Sequence, residues 1–91
     1  MVMQKVKIEL FGIPRLKAGV AEFFVPIKTP CKLGEVIERI ELQFPELELL
    51  DNGRFRKEFI VNVSGERFTK TLESIVDESD SILIMSSDAG G

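Results

Sequence analysis

The chain has 91 residues, of which 44% are hydrophobic, with 12 Lys and Arg against 15 Asp and Glu, one Cys and no His. That length holds one small core and no second one, and a net charge of −3 offers no basic footprint for nucleic acid. Without His, Ser-His and Cys-His nucleophilic pairs are excluded. A single Cys excludes an internal disulfide and, with no closely spaced ligand set, leaves no basis for a metal site.

Gln4, Lys5, Lys7 and Glu9 interrupt the apolar residues after Met1, so no signal-peptide core is expected. No run is long and apolar enough to span a membrane. The lone Cys fits a reducing cytoplasm. No Gly-rich phosphate loop is present, so no bound cofactor is expected.

Val6, Ile8 and Leu10 alternate with Lys5, Lys7 and Glu9, the period of a strand buried on one face. Pro14 and Gly19 bracket an irregular loop or turn. Phe23 to Ile27 reads as a second strand, and Pro26, which lacks a ladder donor, places it at a strand end or sheet edge. The two segments form an antiparallel hairpin with a long connection.

Leu33, Val36, Ile37, Ile40 and Phe44 recur at helical spacing, predicting a helix over about residues 33–44. Pro45 ends it. Glu35 stands where a capping-box acid belongs, but the N-cap position holds Lys32, which gives no acceptor, so the start is poorly capped or Thr29 serves from further back.

Asp51-Asn52-Gly53 is a turn signal. Phe59 to Val63 is the next strand, closed by Ser64-Gly65, with Arg67-Phe68 starting a short return strand. Leu72, Ile75 and Val76 form an irregular apolar crossing. Ile82 to Met85 makes the last strand, whose continuous apolarity means either cover on both faces or one face offered to a partner. Residues 86–91, Ser-Ser-Asp-Ala-Gly-Gly, carry no large packing side chain and should project freely as a flexible tail.

These elements predict an α+β domain over residues 1–85, a mixed sheet with one main helix on one face. The first and last strands pair in parallel at its centre.

The pattern resembles a β-grasp, ubiquitin-like sulfur carrier, closest to the small subunit of molybdopterin synthase and related to the thiamine-pathway carrier. Phe11 to Gly19 is similar to that family's exit from the first strand. Leu33-Gly34-Glu35-Val36 and Phe44-Pro45-Glu46-Leu47 are similar to its helix start and end. Val61 to Glu66 resembles its Val-Asn-Gly-Glu turn, Asp80 to Ile84 its last strand, and Ala89-Gly90-Gly91 its ending. Relatives usually carry Pro-Pro and an apolar residue where this chain has Ser86-Ser87-Asp88.

The resemblance implies that an ATP-using, ubiquitin-activating-like enzyme adenylates the Gly91 carboxylate. A persulfide sulfur would then leave a thiocarboxylate for the large subunit of a synthase. Gly91 and Gly90 would be the reactive end; Met85, Phe68, Ala89 and Asp88 would meet the partner; the chain would supply no catalytic side chain. A terminal Gly suits this because, with no Cβ, it passes a narrow channel.

The same terminus would serve a protein modifier that forms isopeptides with lysines. A β-grasp interaction module would make no use of it. Asn62 is either a pathway residue by resemblance or a polar residue on the outer strand face, and Cys31 is either a sulfur acceptor or a buried or half-buried small hydrophobe near the helix start. Arg54, Arg56 and Lys57 form a basic loop. Asp77, Glu78, Asp80 and Asp88 make the tail side acidic, favouring encounter with a basic enzyme.

Overall fold

A computed structural model of the chain describes residues 4–69 and 71–86. The elements run β1 (Lys5–Phe11), α1 (Ile13–Ala18), β2 (Glu22–Pro26), β3 (Cys31–Lys32) and α2 (Leu33–Gln43), followed by a 3-10 turn over Pro45–Leu47. Then come β4 (Leu50–Asp51), β5 (Arg54–Phe55), β6 (Phe59–Val63), β7 (Arg67–Thr69), β8 (Ile75–Val76) and β9 (Ser81–Ser86).

Five strands form the main sheet in the order β2-β1-β9-β6-β7. β1 and β9 are parallel, with Ile8 opposite Ile82 and Phe11 opposite Met85, and the other pairings are antiparallel. The alternation read in β1 is realised as Val6, Ile8 and Leu10 buried between exposed or half-buried neighbours. Val61, Val63, Ile82 and Ile84 bury on the same face, against Leu33, Val36, Ile37 and Ile40 of α2. Phe44 closes the end of this core with its ring 4.7 Å from that of Phe23. Burial of this apolar area is the main favourable term in folding, about 25 cal/mol per Å² removed from water.

The start of α2 differs from expectation. Thr29 does not cap it; its amide donates instead to Gln4 Oε1 at 3.3 Å. The first-turn amides of Leu33 and Gly34 donate to the carbonyls of Ser74 and Leu72, at 2.7 and 2.8 Å. Glu35 Oε2 accepts the Lys32 amide at 2.9 Å, completing the half of a capping box that does not need a Ser or Thr. The crossing chain comes close because Gly34 has no side chain: a Cβ there would lie 3.2 Å from Leu72 Cβ. What read as an irregular crossing is thus a clasp, since β8 also pairs with β3 through Cys31–Val76 and Lys32–Ile75.

The segment bracketed by Pro14 and Gly19 is likewise not a loop but the short helix α1. Proline is tolerated in a first turn, whose amides lack intrahelical partners, and Gly19 ends the helix in the left-handed conformation, donating to the Arg15 carbonyl at 2.9 Å. Gly12, before it, adopts φ 71° and ψ −135°, which favours glycine.

Beyond α2 a side chain of that helix helps to hold the chain. Glu41 Oε1 accepts the amides of Leu49 and Leu50, the second at 3.1 Å, and fixes the entry to the β4–β5 hairpin. Replacing Glu41 with Ala strands both half-buried donors, so the unfolding free energy should fall by about 1–3 kcal/mol. Urea titration followed by circular dichroism measures this, and an unchanged midpoint would contradict it.

Candidate functional site

Because the side-chain period of a strand is two, the residues facing away from α2 are fixed by the register. One row runs Phe11, Met85 and Ile60, and the next Glu22, Glu9, Leu83, Asn62 and Phe68. Phe11 and Phe68 are 57% and 68% exposed, and Met85, Leu83 and Ile60 are half-buried. Met85 and Phe68 therefore share one face, offset by one row, with Ile60, Leu83 and Asn62 between them. The last strand is not covered on both faces: Ile82 and Ile84 are buried while Leu83 and Met85 look outward, half-buried.

Most of the large apolar residues gather at one end of this face, with Phe24, 55% exposed and opposite Lys7, standing apart at the other. β1 and β9 run in parallel, so Phe11 and Met85 lie together at the end where the chain leaves the sheet. The opposite end is charged, with Lys7 3.3 Å from Glu22 on adjacent strands. That pair is solvent-exposed and adds little stability. Asn62 lies on the outer face as a polar strand residue, yet it is only 6% exposed, and its Oδ1 has no hydrogen-bond partner among the described residues.

Three expectations about the end of the chain need correction or fall outside view. Ser86 does not open a free tail: it is the last residue of β9, opposite Phe59, and only 3% exposed. The core face of β9 continues one residue further than its large side chains, because Gly12 leaves room there; a Cβ on Gly12 would sit 3.2 Å from Ser86 Oγ. Asp88, Ala89, Gly90 and Gly91 lie outside the described residues.

The acidic group Asp77, Glu78 and Asp80 precedes β9 and so stands at the far end of that strand from the tail root, about 17 Å away at 3.3 Å per residue. Asp80 is occupied in holding a turn: its carboxylate accepts Ser64 Oγ at 2.6 Å and the Asp77 amide at 2.8 Å. The charged residues beside the tail root are instead Lys17 and Glu58, which line a cavity of about 380 Å³ with Ile13, Phe59 and Ser86. Arg56 Nε lies 3.2 Å from Glu58 Oε2. The Glu58 carboxyl is held below its usual range by a backbone hydrogen bond first, and by Arg56 and Lys17 after that. Arg54, Arg56 and Lys57 line a neighbouring cavity with Asp51 and Phe55.

No protein-family model and no curated protein sequence matches the chain. Solved structures do. SAMP1 from Haloferax volcanii superposes with a TM-score of 0.83 at 20% identity, over 96% of this chain and 99% of that one. A chain described as molybdopterin converting factor, subunit 1, from Pyrococcus furiosus gives 0.74 at 20% identity, over 91% and 97%. The chain has the ubiquitin-like β-grasp fold. A chain of the BexX/CysO complex from Amycolatopsis orientalis shares this β-grasp, with a TM-score of 0.74 at 21% identity over 94% and 99%.

Within the β-grasp, no helix among the described residues is long and apolar enough to cross a membrane. Cys31 sits in β3 at the helix start, 7% exposed, with its thiol pushed up by burial and then by Glu35. A thiol so placed is mostly protonated at neutral pH and a poor nucleophile. Iodoacetamide at pH 7.5 should therefore alkylate Cys31 slowly in the native chain and rapidly in urea, as followed by intact mass. Equal rates would contradict the burial.

Proposed function

We propose that the chain is a sulfur carrier whose Gly91 carboxylate is the reactive group and whose outer sheet face docks the enzymes that use it. The observation that carries this reading is the position of the tail root. β9 leaves the centre of the sheet at Met85 and Ser86, beside the apolar residues Phe11, Ile60, Leu83 and Phe68. A partner covering that patch takes the segment beyond Ser86 into its own site. Residues 87–91 span up to about 17 Å when extended, enough to reach a buried centre.

The chemistry needs no side chain of this chain. An adenylating partner brings ATP, the Gly91 carboxylate attacks the α-phosphorus, and pyrophosphate leaves. A persulfide then displaces AMP from the acyl carbon, and a second thiol cleaves the resulting acyl disulfide to release the thiocarboxylate. In a synthase the thiocarboxylate sulfur then attacks an electrophilic carbon of the acceptor and displaces its leaving group, and water hydrolyses the resulting thioester to return the carboxylate. The structural likeness to a molybdopterin converting factor subunit supports molybdopterin biosynthesis as the pathway, and the likeness to a chain of the BexX/CysO complex supports a partner enzyme. Cytoplasmic localisation fits the ATP and thiol requirements.

The likeness to SAMP1 favours a second reading, a protein modifier joined to lysines through the same adenylate. Both readings start from one activated terminus and differ in the acceptor. Full-length chain produced with its adenylating enzyme and a persulfide source should gain the mass difference between one sulfur and one oxygen atom, and chain lacking Gly91 should not. A ladder of conjugates in place of that species selects the modifier. Sulfur gained equally by the truncated chain contradicts both.

A further inference from the structure

The docking face leaves one exposed aromatic unused. Phe24 lies in β2, at the edge of the main sheet and away from the apolar end of the outer face. β2 is paired on one side only, with β1. Two bonds fix the direction of its backbone groups: the Ile27 amide donates to the Gln4 carbonyl at 2.9 Å, and the Leu10 amide to the Ala21 carbonyl at 2.8 Å. Bonded and unbonded pairs alternate along an antiparallel ladder. Phe23 and Val25 therefore bond β1, while Glu22, Phe24 and Pro26 turn their backbone groups outward. None of these outward groups has a hydrogen-bond partner among the described residues.

Proteins usually blunt such an edge with a bulge, a proline or charged side chains. The register of β2 with β1 is unbroken over all five residues, and Glu22 and Pro26 stand only at the two ends. The middle residue is an exposed ring. The free groups are also symmetric about that residue. Two copies of β2, laid antiparallel with Phe24 opposite Phe24, overlap along their whole length. Each Phe24 amide then donates to the other copy's Phe24 carbonyl, and each Glu22 amide to the other copy's Pro26 carbonyl. Every free donor of the edge is used, and the acceptor left over, the Glu22 carbonyl, lies at the rim in water.

The side chains agree with this register. The two Phe24 rings meet on the outer face as a cross-strand aromatic pair. Glu22 stands opposite Pro26 of the other copy and diagonally across from its Lys28, within reach of a long side chain. Lys28 is exposed and makes no ion pair of 4 Å or less among the described residues.

We propose that two copies of the chain pair through β2, edge to edge about a two-fold axis at Phe24, joining their main sheets into one. A single strand pair is smaller than a standard interface of roughly 800 Å² per partner, so the dissociation constant should be on the order of 10⁻⁴ M. The pairing does not rest on the carrier reading. Phe11, Ile60, Leu83, Met85 and Phe68 lie on other strands, so each copy keeps its docking face and tail root open.

Sedimentation equilibrium of the full chain, from about 20 µM to about 1 mM so as to bracket that constant, tests the pairing without a partner enzyme. The mass should rise from 10.2 kDa toward twice that value and no further, because a two-fold contact closes on itself. Phe24→Pro removes an amide that β1 does not use, and Phe24→Lys sets two ammonium groups opposite each other. Each should weaken the pairing at least about tenfold, and the lysine variant carries the test if proline loosens β2. Leu16→Lys, at a more exposed apolar residue on α1, should leave it unchanged. In the unaltered chain the Phe24 amide should exchange with deuterium several-fold more slowly at the higher concentration. The mass of one copy throughout overturns the proposal, and so does a mass beyond two copies. A dimer insensitive to both Phe24 variants, or weakened as much by Leu16→Lys, places the contact elsewhere and overturns it too. Exchange at Phe24 that ignores concentration overturns it equally.

Discussion

The parallel pairing of β1 with β9 is the constraint on which the rest of the molecule depends. Joining the two ends of the chain side by side at the sheet centre requires everything between them to cross over and return. α2 makes that crossing and covers one face, while β2 and the β6–β7 hairpin extend the two edges. The same pairing decides where the chain leaves the fold. β9 lies between two strands, with Ile82 and Ile84 locked into the core, so its last residue is held by neighbours on both sides and the following segment starts from a fixed point.

Long-range hydrogen bonds hold the crossover in place. The start of α2 takes its acceptors from residues 72 and 74, and the loop after α2 takes its acceptor from Glu41. Each joins segments that are far apart in sequence or lie in different elements. In a domain this small the core alone supplies limited stability, and satisfying buried amides matters because an orphaned one costs more than a made hydrogen bond contributes net. The surface ion pairs Lys7–Glu22 and Lys32–Glu73 are exposed and secondary.

Much of this was legible in the sequence because burial on one face imposes a period. β1, α2, β6 and β9 each carry an uninterrupted apolar pattern, and Phe68 and Met85 fell on one face by strand parity. Other features were hidden for physical reasons. α1 is six residues long and framed by Pro14 and Gly19, which read as breakers although both are good helix-end residues. The two-residue strands β3, β4, β5 and β8 are too short to show any period. The capping of α2 comes from a remote backbone and leaves no local mark. Ser86 looked like tail because its side chain is small and polar, and only its even spacing from Ile82 and Ile84 could have placed it on the core face. Asp77, Glu78 and Asp80 are near the tail in sequence yet far from it in space, since a strand intervenes.

The central claim is that the apolar end of the outer face, beside the tail root, is where the activating enzyme docks. Isothermal titration of that enzyme against the full chain tests it most directly, comparing Phe68→Asp with Leu42→Asp. Both residues are highly exposed, and Leu42 lies on α2, across the core from the outer face. A charge buried at a docking patch should weaken binding at least about tenfold, so Phe68→Asp should lose that affinity while Leu42→Asp keeps it. Equal affinities for the two variants, or a loss confined to Leu42→Asp, would contradict the account.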